Sequence, residues 1–206
     1  IVIEELNTVR SDSEDYIQNK LFQMMFGKHT LGLDMIGTRK HILNFDIKTI
    51  KNYINKYYRP DNCHIVISTN MSQRKVDKLI KNNFENFMPK NNKVLKFPKL
   101  ITLKKPKRPN IRFYDDHDNN CVLNMGYVIC GYNNQDKYSL RLLSYIIGEM
   151  YSSRLFIQLR ENNGLVYDVD SGAYFYDDYG VFLISCQMDC KSVNKVIKII
   201  LEVIND

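Results

Sequence analysis

Alanine occurs once in these 206 residues, at Ala173, and Val181-Phe182-Leu183-Ile184 is as long as any apolar run. A bilayer-spanning helix needs about 20 apolar residues, so no segment qualifies. Cysteine is sparse and odd in number: Cys63, Cys121, Cys130, Cys186 and Cys190, with no C-x-x-C pair. That spacing argues against a disulfide framework or a zinc ribbon and suits a reducing compartment, the cytoplasm or an organelle matrix. Neither a G-x-G-x-x-G turn nor a P-loop is present. The histidines His29, His41, His64 and His117 are never four apart, so no helix face presents two imidazoles to a metal. No serine or cysteine stands in a recognisable nucleophile arrangement with a histidine. The chain opens on Ile1 without a signal-peptide pattern and is expected to be a piece of something longer.

What is present suffices for a folded core. Apolar residues make up 44% and charged residues 25%, which excludes wholesale disorder. Asn (22), Ile (22) and Lys (20) dominate, a skew better explained by A+T-rich coding than by function. The net charge of +6 is local. Between Pro89 and Pro109 lie eight basic residues (Lys90, Lys93, Lys96, Lys99, Lys104, Lys105, Lys107 and Arg108) and no acidic one, leaving −2 for the rest. Four of the five prolines fall in the same window. Single-sign, proline-rich sequence without apolar periodicity reads as an extended connector. A phosphate-tracking arm would need aromatic residues interleaved with the basic ones.

Periodicity places helices at Ile1–Val9, after Ser11 and Glu14 (a capping box, with Ile17, Leu21, Met24 and Met25 apolar), and near Asp46–Tyr57. Arg59-Pro60-Asp61-Asn62 is turn chemistry leading to a short buried strand, Cys63–Ser68, and Ser72 caps a helix through Phe84. Beyond the basic window, strands are expected at Ile111–Tyr114, Val122–Tyr132, Tyr167–Tyr176 and Val181–Met188. Helices are expected at Lys137–Ile147, Ser153–Glu161 and from Val193 onward. The fold class is α+β, and spacing alone yields no complete active site.

Several segments, taken in order, carry a resemblance. Ile1-Val2-Ile3-Glu4-Glu5-Leu6 resembles V-I-x-E-E-I of the pitrilysin/insulinase/mitochondrial processing peptidase superfamily of zinc metallopeptidases. Phe26-Gly27-Lys28-His29-Thr30-Leu31-Gly32 is similar to that family's F-x-x-H-P-L-G, Ile36-Gly37-Thr38 to its I-L-G-T/S, and Tyr57 to Asn62 to its Y-Y-x-P-x-N. Ser152 to Glu161 followed by Gly164-Leu165-Val166-Tyr167 resembles S-S-R-L-F-x-x-L-R-E-x-x-G-L-A-Y, and Tyr176 to Gly180 resembles Y-x-D-x-G.

The resemblance implies two similar α+β clamshell domains, each a mixed sheet with helices on one face and each partly present. Residues 1–88 would be the later half of the first domain, 89–109 the linker, and 110–206 the early part of the second. It implies Glu5 as the third zinc ligand of the parent, with Glu4 a solvated surface residue. Arg160 and Tyr167 become the substrate-clamping, oxyanion-stabilising pair. His29 is read as orienting a loop. The family's H-x-x-E-H, which supplies two histidine ligands and the general base, is absent from this sequence. This chain alone is therefore not expected to hold zinc or to catalyse. The parent is expected to hydrolyse peptides or unfolded segments, as a homo- or heterodimer if it associates. Gly148-Glu149-Met150-Tyr151 is too short for the glycine-rich loop of the family's non-catalytic mitochondrial subunit. Two other readings stand beside this one: a non-catalytic scaffold subunit of the same fold, and a basic nucleic-acid-binding module using the Lys-rich window.

Overall fold

A computed structural model describes residues 1–84, 102–103, 108–115 and 120–206. The basic window 89–109 lies almost wholly outside the described residues, as does His117. The chain divides into two compact units, Ile1–Gly37 with Ile101–Asp206, and Thr38–Leu100.

The larger unit is built on an antiparallel sheet of β1 (Asn120–Cys130), β2 (Val166–Phe175) and β3 (Tyr179–Asp189) in the order β1-β3-β2. Gly131 and Asp177-Asp178 lie at the sheet's turning end, where a Cβ on Gly131 would strike the Asp178 backbone. β3 is the central strand, and its side chains divide cleanly. Phe182, Ile184, Cys186 and Met188 join a core with Leu155, Leu159, Val169, Val196 and Ile200. Val181 and Leu183 point the other way, into a second cluster with Leu21 and Phe26. The alternation therefore marks two covered faces rather than one wet and one dry.

Helices α6 (Lys137–Ser144) and α7 (Val193–Asn205) belong to the first face. α7 is amphipathic, with Val196, Ile200 and Val203 buried at helical spacing. α1 (Val2–Ser11) and α2 (Ser13–Phe26) belong to the same unit, and α2 lies on β1. Gly126 permits that approach: a Cβ there would meet the Met25 sulfur and come within 3.0 Å of Leu21 Cδ2. α2 is capped by Asp12, whose carboxylate accepts from the Glu14 and Asp15 N–H groups, and not by the expected Ser11/Glu14 box. The Ser11 hydroxyl instead donates to Thr8 O at the end of α1. Gly27, at φ 55°, ends α2.

The smaller unit carries α3 (Arg39–Asn44), α4 (Ile47–Tyr57) and α5 (Gln73–Phe84). No helix was expected where α3 forms; Thr38 caps it through the His41 N–H. Arg59, 7% exposed, clasps the Asp61 carboxylate, holding that carboxyl below the usual range. The strand expected at Cys63–Ser68 is not formed. Val66 is 94% exposed, and no described strand of this unit lies beside it. An apolar segment becomes a strand only when a neighbour accepts its backbone hydrogen bonds. Ile47, Ile50 and Ile54, on one face of α4, also remain exposed among the described residues. Ile111–Tyr114 likewise forms no strand with any of the described residues.

Candidate functional site

The helix expected at Ser153–Glu161 forms, but with an unusual interior. Its segment Phe156–Glu161 is π-helical, and the Asn162 N–H reaches back five residues to Ile157 O at 2.8 Å. Leu155 and Leu159 are fully buried and anchor it to the sheet, leaving Arg160 exposed on the next position. Gly164 then turns the chain at φ 56°, its N–H bonded to Arg160 O, while the Leu165 N–H reaches Leu159 O at 2.8 Å. This left-handed turn, cheap only for glycine, delivers the chain directly into β2.

At the start of β2 the ladder slips. Val166 pairs with Met188 and Asp168 with Gln187, so Tyr167 is the extra residue of a β-bulge. Bulges bend the strand and re-aim a side chain, and Tyr167 is 59% exposed. Arg160 Nη1 donates to the Tyr167 carbonyl oxygen. Its guanidinium also lies 5.4 Å from the Phe156 ring, a cation–π contact. The two residues singled out from the sequence are thus joined directly, through a π-helix, a left-handed turn and a bulge.

Glu5 sits in the first turn of α1, exposed, beside Leu6, which is 1% exposed. It makes no hydrogen bond or ion pair to Arg160 or Tyr167. Among the described residues no group of three or more His, Cys, Asp or Glu converges to hold a metal. A lone exposed carboxylate does not fit a zinc site, which takes at least three protein ligands. His29 is 3% exposed and caps the turn Thr30–Gly32 by accepting the Leu31 N–H on Nδ1 at 3.2 Å. Its ring stands edge-on to Tyr179, with centroids 5.5 Å apart.

The sequence reading missed an acidic group beside the bulge. Asp168 and Asp170, two apart on β2, share the side of the strand opposite buried Val169 and Ser171. Partial burial raises the Asp170 carboxyl above its ordinary value; a bond from the Ser171 backbone N–H opposes this, and the charges of Glu149 and Asp168 add to it. Tyr174 is raised by burial and then by Asp170 and Glu149. Glu149 closes the π-helical turn Tyr145–Glu149, which packs on β2 through Gly148. There Ser171 Oγ donates to Ser144 O at 2.9 Å, and Ser144 Oγ lies 2.9 Å from Glu149 Oε2. The D-x-D spacing at 168 and 170 was the available signal, since alternation on a strand gathers both carboxylates.

Residues 44–206 match the sequence profile of the peptidase M16 inactive domain. Over 185 residues the chain is 26% identical to an uncharacterized zinc protease of Bacillus subtilis (strain 168), covering 89% of this chain and 43% of that protein. A solved structure of a protease from Helicobacter pylori superposes with a TM-score of 0.84 at 24% identity, over 98% of this chain and 50% of that one. A chain of complex III2 from Candida albicans superposes with a TM-score of 0.77 at 18% identity, over 98% of this chain and 49% of that one. The chain thus spans about half the length of the proteins it matches. No described helix is long and apolar enough to cross a membrane.

Proposed function

Because the chain belongs to the peptidase M16 inactive-domain family, we propose that it is the substrate-clamping portion of a zinc-dependent endopeptidase that acts on peptides or unfolded segments. By itself it is not catalytic. The observation that carries this reading is the construction around Arg160 and Tyr167. Two backbone irregularities, each costly in regular structure, converge on the residues that would meet a substrate. Arg160 spends one N–H on the Tyr167 carbonyl and keeps others of its fork for a substrate carbonyl. The Tyr167 phenol, held out by the bulge, donates to the oxyanion of a tetrahedral intermediate. Extended peptide adds to the outer edge of β2, which pairs only with β3 among the described residues.

Glu5 is proposed as a zinc ligand only in a whole protein that carries H-x-x-E-H outside these residues. The described residues do not form that centre. The names of the relatives, zinc proteases, support the reading.

The test uses the full-length protein with a quenched fluorescent peptide. Tyr167→Phe should lower kcat by about 100-fold or more with little change in KM, the signature of a lost oxyanion donor. Glu5→Gln should lower bound zinc per molecule, read by elemental analysis. Full kcat in Tyr167→Phe at unchanged zinc content would remove the proposal. The missing H-x-x-E-H also suits a non-catalytic scaffold subunit of the same fold. A full-length protein without that motif, free of zinc and inert toward peptides, would turn the assignment to the scaffold.

A further inference from the structure

The register of the sheet brings two cysteines distant in sequence to one corner. Cys121, at the start of β1, stands opposite Met188 of β3, and Asn120 opposite Asp189 closes the ladder. Cys190 follows at once, opening the turn Cys190–Ser192 that leads into α7. Residues two apart on a strand share a face, so Cys190 leaves the sheet on the side of Met188, the side on which Cys121 also packs. The Cys190 side chain comes near enough to Cys121 to raise its thiol, after the larger effect of partial burial. Neither is in a disulfide; Cys190 is exposed and Cys121 half-buried.

We propose that Cys121 and Cys190 form a reversible dithiol–disulfide pair, a modification site that staples the start of β1 to the turn before α7. The oxidant is a low-molecular-weight disulfide such as oxidised glutathione. Cys190, open to solvent, attacks one sulfur of the oxidant as thiolate. The S–S bond of the oxidant breaks, a mixed disulfide forms on Cys190, and one thiolate leaves. Cys121 then gives its proton to solvent and attacks the Cys190 sulfur, expelling the second small thiolate. Two protein thiols are oxidised and one disulfide is reduced to two thiols.

The other cysteines set the contrast. Cys186 lies at the sheet core, 1% exposed, and burial pushes its thiol up to about 12, which leaves it inert. The closed loop would enclose residues 122–189, and with them Arg160, the Tyr167 bulge and all of β2. The site stands on its own geometry and does not depend on the peptidase reading.

The whole chain is incubated with oxidised and reduced glutathione at fixed ratios, quenched by acid, alkylated and digested. Wild type should lose two hydrogen masses and yield one linked peptide pair, Cys121 with Cys190, reverted by dithiothreitol. Cys121→Ser should stop at a glutathione adduct on Cys190. Cys190→Ser, at an exposed position where folding is not at stake, should leave Cys121 at least tenfold slower to react. Wild type that accumulates the Cys190 adduct with Cys121 still alkylatable would overturn the proposal. So would a pairing of Cys190 with Cys63 or Cys130 in its place.

Discussion

Gly148→Ala is a substitution whose sign separates local propensity from packing. Gly148 lies in the π-helical turn Tyr145–Glu149 and is buried against β2. In an exposed helix the change would stabilise by about 1 kcal/mol, because glycine forfeits more backbone entropy. Here the added Cβ would stand 2.8 Å from Ser171 Cβ, 2.8 Å from Ser171 Oγ and 2.9 Å from the Ser171 backbone nitrogen. Two of those obstacles cannot rotate away, since Ser171 N and Cβ are fixed by β2. Overpacking of this kind costs about 1–3 kcal/mol. Displacing Ser171 also strains its bond to Ser144 O, worth about 1 kcal/mol more. Set against the propensity gain, the net is a loss of about 1–3 kcal/mol. Urea unfolding followed by far-ultraviolet circular dichroism should show a lower midpoint at unchanged slope. A midpoint equal to or above that of the wild type would refute the idea that this turn is wedged onto β2.

The same change elsewhere meets softer obstacles. Gly126→Ala on β1 faces the end of Met25 and Leu21 Cδ2, both on rotatable side chains, so its cost should stay below that of Gly148→Ala in the same urea series. Asp12→Ala should cost about 1 kcal/mol by removing the α2 cap, while Ser11→Ala should cost less than half as much. Asp170 has a folded-state carboxyl raised above its ordinary value, so the folded protein binds the proton more tightly than the unfolded chain does. Stability from this group is therefore greatest at low pH and falls as pH rises from the ordinary carboxylate range through the raised value. The difference in melting temperature between wild type and Asp170→Asn should shift toward the mutant across that window. Solvent screening keeps the shift small, and a difference that is flat with pH would count against the burial argument.

Much of the fold could be read from periodicity. The alternation in Val181–Met188 placed β3, and the helical spacing of Val196, Ile200 and Val203 placed α7, because each pattern is fixed by one buried face. Where reading failed, the missing information was non-local. Cys63–Ser68 has strand composition, yet a strand exists only beside another, and no described residue supplies one. α3 has no strong apolar stripe, so its cap at Thr38 was the only cue. Leu183 is buried on the second face of β3 with Leu21 and Phe26 of α2, a cover that nothing in its sequence neighbourhood announces.

The Arg160 and Tyr167 pair was singled out by resemblance and not by periodicity. From spacing alone, an arginine seven residues before a tyrosine on the next strand has no meaning, since a regular helix and a regular ladder would fix the two side chains independently. Here three departures from regularity act in series. The π-helix rotates Arg160 relative to the buried Leu155 and Leu159, Gly164 shortens the return, and the bulge lifts Tyr167 out of pairing. Each departure lowers local stability, and the deep burial of Leu155, Leu159, Val166 and Met188 on either side offsets it. A change that restored a regular ladder, such as deletion of Tyr167 with Asp168 moved into register, would improve pairing while breaking the Arg160 contact. In the full-length protein such a variant should be as stable as the wild type or more so, and lose peptide turnover. Retained turnover would mean that the irregular geometry is not what presents the pair to substrate.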